Sequence, residues 1–199
     1  MTATDSQSTD ATLAQLYDLV SGLLADPPDE ATVETLATGA LPDPEIAPND
    51  RLEAGLETLA AWADEVEDPA AEADRLGAAF TSLFVGPRPE LQIHESYYAG
   101  DYLGKPLAAV AETYDRFGIA PAPDRKEEAD HAAVELAALR ELTLDAPDRK
   151  AEFLEAHGDW FEPLAEDIKE HTDEQFYAAV ADVVAGLIAF DARREDSRQ

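Results

Sequence analysis

Apolar residues return every three or four positions along most of this chain, and prolines and glycines cut that rhythm into helix-length pieces. Side chains spaced in this way share one face of an α-helix, whereas a half-buried strand needs strict alternation, and no run here alternates. Leu13, Leu16, Tyr17, Val20, Leu23 and Leu24 form the first stripe; Asp10 is placed to cap it and Asp26-Pro27-Pro28 to close it. A short helix is expected over 29–37, a Pro-rich loop over 41–48, and a long helix over 49–67 carrying Leu52, Leu56, Leu59, Ala63 and Val66. Asp68-Pro69 reads as an N-cap followed by proline in the first turn, opening a helix with Leu76, Phe80, Leu83 and Phe84 that stops at Gly86-Pro87. Residues 86–105 lack a helical stripe and are expected to form an ordered loop. Pro106 then reopens a helix through Leu107, Val110, Tyr114 and Phe117, with Gly118 in the C′ position.

Prolines 121 and 123 force the segment 119–126 to be extended, because each disfavours helical geometry in the residue before it. Further helices are expected over 127–144, from Pro147 through Phe153 and Leu154, from Trp160 through Ile168, and over 173–192. The pattern predicts an all-α bundle of about eight or nine helices. The expected organisation is a disordered segment 1–9, a helical domain 10–192 with lobes 10–118 and 127–192 about a hinge at 119–126, and a polar tail 193–199.

Charge narrows the partners. Asp and Glu number 44 against 14 Lys and Arg, a net charge of −30. Such a surface repels nucleic acid and anionic membranes, whose recognition requires basic patches. With only Lys105, Lys126, Lys150 and Lys169 for lysines, the composition fits the solvated acidic shell of a halophilic protein. The absence of cysteine excludes disulfides, thiolate nucleophiles and Cys-ligated zinc. The first ten residues are neither basic nor apolar, unlike an export signal, and no uninterrupted apolar run spans a bilayer. The expectation is a soluble cytoplasmic protein with neither nucleic acid nor stable membrane insertion.

No G-x-G-x-x-G turn, P-loop or G-x-S-x-G elbow is present. Glu128 and His131 have the Glu-x-x-His spacing of half a di-iron site, on one face of the expected helix, but none of His94, His157 and His171 has a Glu three residues earlier to supply the other half. His157 and Trp160 read as a polar and an aromatic side chain packed on a neighbouring helix, and Arg193-Arg194 as cations at a helix C-terminus. No catalytic residue, metal or cofactor is expected.

Three blocks in order carry a resemblance. Phe80-Thr-Ser-Leu-Phe-Val-Gly-Pro87 is followed by Glu95-Ser-Tyr-Tyr98; Glu128-Ala-Asp-His131 leads into Ala-Ala-Val-Glu-Leu136; and Phe153-Leu-Glu-Ala-His157 precedes Trp160 and Pro163. Together they resemble the TorD/DmsD family of cytoplasmic chaperones for molybdopterin oxidoreductases. Ile93-His94 stands where the family usually has Pro-Tyr, Ala129 where it has a hinge proline, and Ala132 where it has Leu.

The resemblance implies a system-specific chaperone that binds the twin-arginine signal peptide, the apo form, or both, of an enzyme of the DMSO/TMAO reductase type, as a monomer or a dimer swapped through the hinge. In that reading Asp130, Glu127 and Glu95 are candidates to accept hydrogen bonds from the peptide arginines. Phe84, Tyr97 and Tyr98 would cover the hydrophobic run, Ser96 lies within the same block, and His131 would orient Asp130 or donate to a peptide carbonyl. Asp130-His131 as a helix cap tying the lobes together stays open beside it. So do a helical metal- or nucleotide-dependent hydrolase, including one with an unconventional guanine-nucleotide site, and a purely structural adaptor.

Overall fold

A computed structural model describes residues 3–86, 88–120 and 127–196. Among these the regular structure is helical: α1 (Ala3–Ala25), α2 (Glu30–Thr35), α3 (Asp50–Glu65), α4 (Pro69–Phe80), α5 (Glu95–Tyr98), α6 (Lys105–Phe117), α7 (Ala132–Asp145), α8 (Pro147–His157), α9 (Phe161–His171) and α10 (Gln175–Asp196). The all-α expectation holds, with ten helices.

Local chemistry sets most of the boundaries. Asp29, Asn49 and Asp68 each accept a backbone N–H in the first turn of α2, α3 and α4, and Pro69 follows directly. Gly118 ends α6 in the left-handed conformation, φ 71°. α4 runs on through a π-type turn, Thr81–Val85, up to Gly86.

Four boundaries differ from the sequence reading. α1 begins at Ala3 rather than after Asp10, whose carboxylate instead takes Arg194 at 2.6 Å. α10 extends through Arg193 and Arg194 to Asp196, so the expected tail is partly helix. The loop expected over 86–105 contains α5. α7 starts at Ala132, not near 127, because residues 130–132 are already paired with 93–95. Glu128 and His131 therefore stand in a turn and share no helical face. Most of the expected hinge, residues 121–126, lies outside the described residues.

The chain forms two compact units. One comprises Asp26–Gln92 and Glu162–Phe190; the other comprises α1, Ile93–Phe161 and the end of α10 from Asp191. The helices on both sides of 121–126 fall in this second unit.

The first unit is apolar inside. Leu52, Leu56, Leu59 and Trp62 of α3 face Phe176, Val180 and Val183 of α10, with Leu76, Phe80, Phe84 and Tyr177 completing the core. Backbones of α3 and α10 come into contact at glycines: a Cβ on Gly186 would lie 2.6 Å from Leu52 N, and one on Gly55 2.9 Å from Val183 N. Its charges stay near the surface, where Arg51 joins Glu162, Glu166 and Asp182. The stretch Gln175–Arg194 is long and apolar enough to cross a bilayer by composition alone, with mean hydropathy 1.4, yet 67% of it is buried inside the protein, the condition of a core helix.

In the second unit α1 packs along α7. α7 is buried on nearly every side, through Ala132, Ala133, Val134, Leu136, Ala138, Leu139 and Leu142. Tyr114 of α6 stacks on Phe153 of α8.

Candidate functional site

Every buried polar or charged residue among the described residues lies in the second unit: Ser21, Ser96, Thr113, Asp130, His131, Glu135, Thr143, Lys150, His157 and Asp191. Burying ionisable groups is costly unless they are paired. Their concentration in one unit marks it as the place to look for function.

The centre is a junction of two short segments. Glu95 N donates to Asp130 O and Ala132 N to Ile93 O, both at 2.9 Å, making an isolated antiparallel bridge between His94 and His131. This pairing puts the Asp130 carboxylate at the start of α5, where Oδ2 accepts from Ser96 N at 3.0 Å. Asp130 is 0% exposed, and its Oδ1 has no partner. His131 caps α7, its Nδ1 accepting from Ala133 N at 3.2 Å, so in a neutral ring the proton sits on Nε2. His94 stands edge-on to His131 and to Tyr102. Burial holds His94 below the ordinary imidazole range, against the pull of the Asp130 and Glu128 carboxylates.

A polar chain runs inward from Glu95. Glu95 Oε2 lies 2.9 Å from His157 Nδ1, and His157 Nε2 lies 3.0 Å from Thr113 Oγ1. Thr113 gives its hydroxyl proton to Ala109 O, so its lone pairs are left to accept from His157 Nε2–H. Glu135 of α7 is fully enclosed, and its Oε2 accepts from Trp160 Nε1 at 3.0 Å. Burial pushes Glu135 well above the usual carboxylate range; the Glu95 and Asp130 charges add to this and the Trp160 hydrogen bond opposes it.

Outward from the same junction the chain presents apolar surface. Tyr97, Tyr102 and Leu103 are 50%, 48% and 46% exposed, and Tyr97 is edge-on to both Tyr98 and Tyr102. Leu103 has φ 55°, a left-handed conformation uncommon for a side chain of its size. It is held there by Ser96 Oγ, which accepts Leu103 N–H at 2.9 Å, and Asp101 N bonds back to Ser96 O. A strained backbone that exposes a leucine is a feature to be explained by use rather than by stability.

The structure thus brings together Asp130, His131, Glu95, Ser96, Tyr97 and Tyr98, in graded positions. Asp130 and Ser96 are internal, Glu95 is nearly so, Tyr98 is half-buried against Trp160, and Tyr97 is at the surface. Glu127 is half-buried just before the junction. Phe84 belongs to the other unit, edge-on to Phe80 and Tyr177, and is not part of this cluster.

Residues that the sequence reading did not assign to the site are Glu135, His157, Trp160, Thr113, Tyr102 and Leu103. One signal was available: Glu135 is the only charged residue in the octet 132–139. A helix apolar all round is buried, and a lone carboxylate in it needs a purpose.

A second buried centre, in the same unit, joins α8 to α1 and α10. Lys150 Nζ lies 2.9 Å from Asp191 Oδ2, which also accepts from Tyr17 Oη at 2.7 Å. Among the described residues no group of three or more His, Asp or Glu side chains is arranged to hold a metal ion.

The chain and its fold are similar to known proteins. The family model described as nitrate reductase delta subunit matches residues 49–181. A solved structure from Archaeoglobus fulgidus, described as a candidate redox enzyme maturation protein, superposes with a TM-score of 0.57 at 23% identity, covering 86% of this chain and 90% of that one. No curated protein sequence matches.

Proposed function

The chain belongs to the nitrate reductase delta subunit family, whose members are redox-enzyme maturation chaperones rather than catalysts, and from that premise we propose that it binds the twin-arginine signal peptide, the apo form, or both, of a molybdopterin oxidoreductase in the cytoplasm. Binding there would delay export until the cofactor is in place.

The observation that carries this reading is the exposed surface of Tyr97, Tyr102 and Leu103, set on a junction of buried hydrogen bonds. A hydrophobic run needs apolar area held rigid before binding, since ordering it afterwards would cost affinity. Tyrosines supply large area with few rotamers to freeze.

Burial divides the roles among the sequence candidates. Asp130 is enclosed and already caps α5, which favours a positioning role for Asp130-His131 over direct contact with a peptide arginine. Glu127, near the surface, is the better-placed acceptor for a guanidinium group. In molar salt the Debye length is about 3 Å, so the −30 charge steers little and contact terms dominate.

Titration calorimetry in about 1 M salt tests the proposal, with a synthetic peptide carrying an Arg-Arg pair and a hydrophobic run, and with the client apo-enzyme. Replacing Tyr97 and Tyr102 together by Ala is expected to weaken peptide binding about tenfold or more, as loss of an aromatic anchor does. Absence of binding by both peptide and apo-enzyme rejects the reading.

A further inference from the structure

The sequence gives His157 and Trp160 only a packing role, yet both reach the helix that presents the aromatic surface. They reach it at two points of matched spacing. Glu95 and Tyr98 are the first and last residues of α5, and His157 and Trp160, also three positions apart, lie at the end of α8 and in the link to α9. His157 Nδ1 is 2.9 Å from Glu95 Oε2, and the Trp160 ring is 5.6 Å from that of Tyr98, tilted by 35°. A carboxylate brings acceptors only, so the imidazole N–H donates. The two side chains are 5% and 13% exposed, which shields this hydrogen bond from competing water.

Each of the two α8-side groups is itself braced. His157 Nε2 lies 3.0 Å from Thr113 Oγ1 of α6, and its ring lies 5.0 Å from that of Phe153, which stacks on Tyr114. Trp160 stacks on Phe161 at 4.5 Å and gives its Nε1–H to Glu135 of α7. The α5 segment has more need of support. Four residues are too few for a helix to stand on its own hydrogen bonds. Its backbone tethers, from Glu95 N and Ser96 N, both run to Asp130, and a segment tied to one residue can pivot about it. Ser96 in turn accepts Asp101 N–H at its carbonyl and Leu103 N–H at its hydroxyl, so the angle of α5 is passed on to Tyr102 and Leu103 as well as to Tyr97.

We propose that His157 and Trp160 are positioning residues for the client surface: by holding Glu95 and Tyr98 they fix α5 from the end of α8, while Asp130 fixes it from the turn before α7. The proposal rests on the client-binding reading only for what the fixed surface is used for. Hydrogen exchange and peptide titration therefore separate the two.

Two replacements at one position distinguish a donor from a packed ring. His157→Phe keeps a ring against Phe153 and has no donor. His157→Asn loses the ring, but its amide N–H takes the place of Nδ1–H, and asparagine is well tolerated near a helix C-terminus. Protection of the Ala99, Asp101 and Leu103 amides is expected to fall about tenfold or more in His157→Phe, as loss of a hydrogen bond to a charged group does, and to stay within about threefold of wild type in His157→Asn. Tyr98→Leu, which withdraws the ring from Trp160, should lower protection at Ala99 about threefold. If His157→Phe does not fold, Glu95→Ala breaks the same contact from its less buried side and should show the same loss. Affinity for the Arg-Arg peptide should follow protection, falling about tenfold in the Phe variant and rescued in the Asn variant.

Protection kept by Phe and lost by Asn, or lost equally by both, overturns the role of His157; unchanged protection in Tyr98→Leu overturns that of Trp160. Affinity that ignores protection in a wild type that binds overturns the link to the client surface. If protection behaves as expected and the wild type binds neither peptide nor apo-enzyme, the two-point hold on α5 stands and the client reading falls.

Discussion

The two units solve the same packing problem with opposite materials. The unit built on α3, α4 and most of α10 buries leucines and interlocked aromatics and leaves Arg51, Arg75 and their carboxylate partners near solvent. The unit built on α1 and α5–α8 encloses Asp130, Glu135, Lys150, His157 and Asp191. A chain carrying −30 has no shortage of exposed carboxylates, so those taken inside are there for geometry that surface groups do not provide. Apolar packing and enclosed polar pairing are divided between the units accordingly.

Substitutions can sharpen or break that division. The largest effect is expected at Lys150→Met, which leaves Asp191 a buried carboxylate with Tyr17 as its remaining donor; a loss of about 3–5 kcal/mol in denaturant unfolding is typical of a broken buried pair. Leu59→Ala in the apolar unit should cost about 3 kcal/mol, mostly as cavity, and the cost should be the same at neutral and alkaline pH. A pH-dependent cost at Leu59 would contradict the contrast between the units. Arg51→Ala should cost about 1 kcal/mol, because its bridges to Glu162 and Glu166 are exposed and screened by salt and its part-buried partner Asp182 keeps Lys169.

How much of this was legible in the sequence follows from the range of the forces involved. Caps and breakers act within a turn, so Asp29, Asn49, Asp68-Pro69 and Gly118 marked their helix ends correctly. The start of α7 was misplaced because its first turn is pre-empted by hydrogen bonds to residues more than thirty positions earlier in the chain, Ile93 and Glu95. The family-like blocks located Asp130, His131 and the 95–98 turn. They also contained Glu135, His157 and Trp160, but spacing along a helix does not reveal that three blocks converge on one polar chain. Nor does composition say which few of 44 acidic residues are enclosed. Leu103 and Tyr102 were hidden for a different reason: a left-handed leucine contradicts local preference and is imposed by Ser96.

The order in which the chain is made bears on the second unit. Tyr17 bonds to Asp191 across 174 residues and Arg194 to Asp10 across 184. These closures cannot form during most of translation, since one partner emerges early and the other only with the end of α10. Contacts of such sequence separation form late and slowly. Until α10 is made, α1 therefore stands without its Asp191 and Arg194 partners, and the second unit closes on itself only after that helix.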